Sequence, residues 1–272
     1  MSGKRRGDPR SKFYGALIGL LLLCGAAGVV GAGGCPTTAD PIATDRPDVT
    51  NSSLVVPYGS FQVENGVDWT SRLGLNALDG TNTRLRLGIA RCAEILLDTP
   101  NFFYALNQDA PSGFSDVVAS FKYQFDQLPD RLNLSATAGL AFPIGARRVA
   151  EGGYAPYIQF PWSLELSGSW SVEGMFTSTW LTDQASSNPT LESTFSVERE
   201  FGPSADMFVE YVGDYPHHLQ PSQVIDAGGT WRITPKQQLD FHVGAGLNAA
   251  SVGQFFGLGY SFRLDRLFGG KP

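Results

Sequence analysis

Between Ser222 and Leu267 the chain alternates apolar and polar positions with a period of two. Leu239, Phe241, Val243, Ala245 and Leu247 take turns with Asp240, His242, Gly244, Gly246 and Asn248. Further on, Phe256, Leu258, Tyr260, Phe262 and Leu264 take turns with Gly257, Gly259, Ser261 and Arg263. Successive side chains of a strand point to opposite faces, so each piece predicts a strand with one apolar face and one polar or empty face. Thr234-Pro235-Lys236-Gln237 predicts a tight turn, because proline presets a turn dihedral and cannot donate to a ladder.

The same alternation recurs over 58–69, 83–89, 114–126, 131–142, 154–166, 170–181, 190–201, 206–215 and 222–233, and least regularly over 94–103. Together these give about twelve strands. Short connections near 91, 128, 167, 203 and 235 alternate with longer ones near 76, 108, 148, 186, 218 and 251. Bacterial outer-membrane barrels have an even strand number, short periplasmic turns and longer outer loops. The expectation is therefore an all-β protein: a transmembrane antiparallel up-and-down β-barrel of about 12 strands over 58–268, with a short tail at 269–272. Trp69, Trp162, Trp170, Trp180 and Trp231 all fall on the apolar faces, as in an aromatic girdle.

In such a barrel the polar faces meet inside. The candidate lumen-lining residues are Glu64, Asp68, Arg84, Arg86, Lys122, Glu173, Glu198, Glu210, Asp226, Arg232, Asp240, His242 and Arg263. Charges shielded from bulk water are expected to pair, so Glu210, Asp226, Arg232, Asp240, His242 and Arg263, on adjacent strands, should satisfy one another. Gly139, Gly244, Gly246, Gly257 and Gly259 are expected to leave room in the lumen. Phe208, Phe255 and Tyr157 are expected to present inward rings.

Composition changes the picture mainly at the N-terminus. The chain has 272 residues and a net charge of −6, yet its first twelve residues hold five of the 20 basic residues and one of the 26 acids. The body is therefore acidic, which disfavours nucleic acid. Residues 13–34 carry no charge and run from LIGLLLL into GAAGVVGAGG, the plan of a secretory signal. A signal peptide is expected over 1–35, with an uncleaved anchor or lipidation at Cys35 as alternatives. Outer-membrane lipid and the insertion machinery are the partners this architecture implies. Cys35 and Cys92 are read as unpaired thiols, since one of them sits in a flexible leader.

Residues 36–57 form that leader, proline-punctuated and without a period. Asp45, Arg46, Pro47 and Asp48 are its notable cluster. Two readings stand open: a solvated periplasmic linker, or a plug held in the lumen by its charges. For chemistry the sequence offers little. No G-x-S-x-G motif, Cys/His metal spacing or phosphate loop is present, so no catalytic residue, metal site or cofactor is assigned.

TDRPDVTNSSLVVPYGSFQVENGVDW, GFSDVVASFKYQF, LSATAGLAFPIG, FVEYVGDYP, VIDAGGTWRITPKQQLDFHVGAGLN and FFGLGYSFRL, in this order, resemble the MetA-pathway of phenol degradation family. The resemblance spans 44–268. It implies an outer-membrane, transporter-like barrel and a link to phenol catabolism, hence a passive channel for small neutral or aromatic solutes. A closed structural barrel and an outer-membrane hydrolase are the alternatives. One departure is that Phe268 is followed by Gly269-Gly270-Lys271-Pro272, where many such barrels end on an aromatic residue.

Overall fold

The computed structural model describes residues 34–73, 75–107, 112–150, 152–182 and 189–268. Nearly all of the expected signal segment, and the tail at 269–272, lie outside the described residues.

The strand segments are β1 (Phe61–Arg72), β2 (Leu75–Gly80), β3 (Arg84–Ala90), β4 (Ala93–Asp98), β5 (Phe102–Ala105), β6 (Gly113–Phe114) and β7 (Val117–Gln124). They continue as β8 (Leu132–Phe142), β9 (Ala155–Glu165), β10 (Trp170–Thr179), β11 (Thr190–Glu200), β12 (Ala205–Tyr215), β13 (Ser222–Thr234), β14 (Gln237–Gly246) and β15 (Gln254–Leu264). All pairings are antiparallel. β2 and β3 both lie along β1, β5 continues β4, and β6 continues β7, so the segments make 12 staves. β15 pairs with β1 from Phe61↔Leu264 to Ser71↔Gln254 and closes the ring. Closure pairs the two ends of the wall, and among the described strands only the two-residue β6 has a partner on one side alone.

Two details differ from the sequence reading. No long loop stands near 76: β1 runs to Arg72, and Leu75–Gly80 is strand β2. The irregular stretch over 94–103 is a stave interrupted at 99–101, beside breaks at 81–83 and 115–116. There, side chains replace ladder bonds. Asn101 Nδ2 donates to Asp79 and to Asn82, each at 2.6 Å, and Thr83 Oγ1 donates to Asn65 Oδ1 at 2.9 Å. At the short-turn end, Gly168 and Ser169 take φ of 73° and 64° between β9 and β10, the left-handed pair that matches strand twist in a tight hairpin.

Burial is inverted relative to a water-soluble protein. Trp231 is 58 % exposed, Phe176 59 % and Leu258 54 %, whereas Glu64, Arg86 and Lys122 are fully buried. The apolar faces point out and the polar faces point in, so hydrocarbon rather than water is the solvent that suits this wall. The protein is an outer-membrane-type β-barrel.

Candidate functional site: a leader across a polar lumen

Residues 42–57 are inside the barrel, and residues 36–41 lie at its rim. The leader starts at the short-turn rim, where Cys35 is disulfide-bonded to Cys92 between β3 and β4. The reading of two free thiols is thus corrected. The leader is not flexible there but packed, and it brings the two Cα atoms to 5.3 Å. The Ile42 amide donates to Pro235 O at 2.8 Å, and Arg263 donates to the carbonyls of Thr38, Asp40 and Pro41. The leader then crosses the lumen. Thr50 hydrogen-bonds to Thr194 on β11, Ser53 to Ser163 on β9, and the Val55 amide to Gln124 on β7. It returns to its own rim at Pro57 and enters β1.

An extended segment has no internal ladder, so every buried amide and carbonyl needs a partner on the wall. The inward side chains supply them. Glu64 accepts the Asp45 amide at 2.9 Å, Glu94 accepts the Val56 amide at 2.9 Å, and Glu210 accepts those of Val49 and Thr50 at 2.7 and 2.8 Å. Gln62 and Arg86 donate to Ala43 O, Arg86 also donates to Leu54 O, and His242 meets Pro47 O.

Charge complements this. Asp45 lies among Arg84 (3.0 Å), Arg86 (3.3 Å) and Lys122 (3.3 Å), and Arg86 also pairs with Glu64 and Glu94. Burial alone would raise the Asp45 carboxyl, but Arg86, Lys122 and Arg84 together hold it below its ordinary range. Asp48 meets the opposite field. Burial first, then Glu210, Glu173 and Glu198, push its carboxyl well above the usual value. Arg46 reaches Asp240 at 3.3 Å and Asp68 at 3.9 Å. At the rim, burial opposes Asp265, yet Lys236, Ser60 and Arg263 outweigh it and lower its carboxyl.

Each expected lumen residue sits on an inward face, but the partners differ from those expected. Among the described residues, none of Glu210, Asp226, Arg232, Asp240, His242 and Arg263 forms an ion pair with another of the six. Glu210 holds leader amides, Asp240 holds Arg46, His242 pairs with Asp68 at 3.1 Å, Arg232 with Asp206 at 3.1 Å, and Arg263 with Asp265 at 2.9 Å. Glu173 and Glu198 lie on the β10–β11 wall with no cationic partner among the described residues.

The glycines on the polar faces also act otherwise than expected. They seat groups rather than widen a path. A Cβ at Gly66 would strike the Arg46 guanidinium, one at Gly259 the Asp240 carboxylate and Arg46 Nε, and one at Gly257 Asp68 and His242. Gly244 lies under the Phe255 ring and Gly139 under Tyr157, while Gly246 abuts the carbonyl of Val252 in the β14–β15 connection. Gly88 seats the leader itself against Pro57 O and Val56 O. The sequence reading did not single out Glu94, Asp206 or Gln238 as site residues. Gln238 and Asp206 stand on inward parity, a signal that was available. Glu94 lies on the least regular stretch, where parity was hardest to assign.

The leader divides the lumen into two cavities. The larger, about 740 Å³, opens toward the short-turn end and is lined by Glu173, Glu198, Asp206 and Phe208. The smaller, about 320 Å³, lies toward the long loops beside Asn82, Arg84, Asp98 and Asn101. Arg46, Pro47 and Asp48 border both.

Residues 44–264 match the model of the family described as Putative MetA-pathway of phenol degradation. The chain belongs to this family. The matched region holds the leader tip and every strand. Among solved structures, the chain resembles the COG4313 outer membrane channel from Pseudomonas putida F1, with a TM-score of 0.64 at 14% identity, over 77% of this chain and 97% of that one. It also resembles the KdgM porin, with a TM-score of 0.52 at 7% identity, over 74% of this chain and 98% of that one. At such identities these likenesses speak for the fold. A comparison with curated proteins found no match.

Proposed function

We propose that the protein is a passive outer-membrane channel for small neutral solutes, aromatic phenol-like ones included, and that the leader is the constriction they must pass. The observation that carries this is the pair of cavities on either side of residues 46–48, in a closed wall with an apolar exterior. Solved structures of similar fold described as an outer membrane channel and a porin support the class, and the family description supports the solute. Acids, Glu173 and Glu198 among them, outnumber cations in the lining of the larger cavity, a balance that disfavours anions. Phe208 lines the same cavity and gives an aromatic ring a face to rest on. A conduit fits these features better than a catalyst, because the charged groups near the leader are occupied in holding it.

The test is solute flux into liposomes and current in planar bilayers, for the full chain and for a variant lacking residues 36–50. The deletion is expected to raise both the flux of a neutral phenol and the single-channel conductance. If neither form passes solute or current, the channel reading fails and a closed structural barrel takes its place.

A further inference from the structure

We infer that the Cys35–Cys92 disulfide is a redox lock on the lumen. With it closed, the leader is a strap pinned at both ends to one rim. With it open, the leader is a plug with a releasable N-terminal arm.

The argument is geometric. The C-terminal end of the leader runs directly into β1 at Phe61, beside β3. Its N-terminal end is bonded to Cys92, in the connection that follows β3. Both anchors are therefore covalent and neighbouring, and the segment between them spans the lumen and returns. Such a loop cannot be withdrawn from either end. It can only shift within the barrel.

The non-covalent contacts are unevenly spread along it. Residues 45–56 are latched by buried ion pairs at Asp45 and by amides given to Glu64, Glu210, Gln124 and Glu94. The arm over 36–43 has no ion pair to the wall among the described residues. It is held by its carbonyls on Arg263, Gln62 and Arg86 and by the Ile42 amide. The covalent bond thus sits where the other restraints are weakest. A dithiol would open it by exchange: its two thiols give two electrons and two protons, Cys35 and Cys92 become thiols, and the dithiol closes to its own disulfide. The arm would leave first, uncovering the larger cavity, whose lining includes Asp40, Pro41, Ile42 and Ala43.

This inference rests on the leader lying in the lumen, and its test reads the leader rather than transport. Amide hydrogen exchange is followed in the folded full chain, oxidised and after treatment with dithiothreitol, and in a Cys35→Ser/Cys92→Ser variant. Heat-modifiable gel mobility checks that the barrel is intact, and reduction after folding covers the case in which the variant does not assemble. Strand amides report global stability and leader amides report release. The Ile42 amide is expected to exchange at least tenfold faster once the bond is broken, with strand amides unchanged. Equal protection before and after reduction overturns the lock, whether or not current flows. Faster leader exchange without any current keeps the lock and removes the channel reading instead.

Discussion

Asp45 and Asp48 stand close together in the leader and meet opposite surroundings. Asp45 is ionised among cations, and its lowered carboxyl contributes docking energy that is fully present above the unfolded value near pH ~4. That contribution is lost as pH falls from there through the lowered folded value. Asp45→Asn leaves Arg86 and Lys122 with one acid fewer. Removing one member of a buried pair costs about 3–5 kcal/mol, and Glu64 and Glu94 keep the loss near the low end. Asp48 behaves inversely. Its raised carboxyl favours docking at low pH, and that contribution is lost as pH rises through the folded value. Asp48→Asn is therefore expected to slow hydrogen exchange of leader amides at pH 8 and to flatten its rise with pH. Faster exchange in Asp48→Asn than in the unaltered chain would contradict this assignment.

At the scale of the element, each strand presents two faces to two solvents. Leu258 on β15 is 54 % exposed on the outer face, directly opposite hydrocarbon-facing Val67 on β1 and Phe241 on β14. An arginine there costs about 2–4 kcal/mol near the bilayer midplane. Leu258→Arg is expected to lower the urea midpoint for folding into liposomes, whereas Leu219→Arg, in the connection between β12 and β13, leaves it unchanged. The inner face is tuned as finely. Gly88 on β3 abuts leader carbonyls, so Gly88→Ala overpacks that contact by about 1–3 kcal/mol. Leader amides should then exchange faster while the β3–β4 ladder keeps its protection. Parity of apolar and polar residues made most strands legible, because a period of two is written in every stave. The interruptions were not legible, since Asn82, Thr83 and Asn101 break the ladder with side-chain bonds that leave no period behind.

For the whole molecule, connection lengths set the orientation. The turns at 166–169, 201–204 and 235–236 share one rim with Cys35, and the connection at 216–221 lies at the other. In intact cells, a membrane-impermeant thiol reagent is expected to label Leu219→Cys and not Lys236→Cys; the reverse pattern would turn the barrel over.

The alternation of residue types by itself determined the barrel, its strand count and which side chains face inward, because burial on two sides of a wall must be repeated residue by residue along the chain. The leader's place was decided only by tertiary structure. Its sequence has no period, and what holds it are backbone amides and carbonyls, which every residue carries alike. Their partners, such as Glu94 for Val56 and Glu210 for Thr50, lie on strands distant in sequence and meet the leader only once the ring has closed. The same closure brings Cys35 to Cys92, and it turns the inward glycines into seats for Arg46, Pro57 and the inner rings.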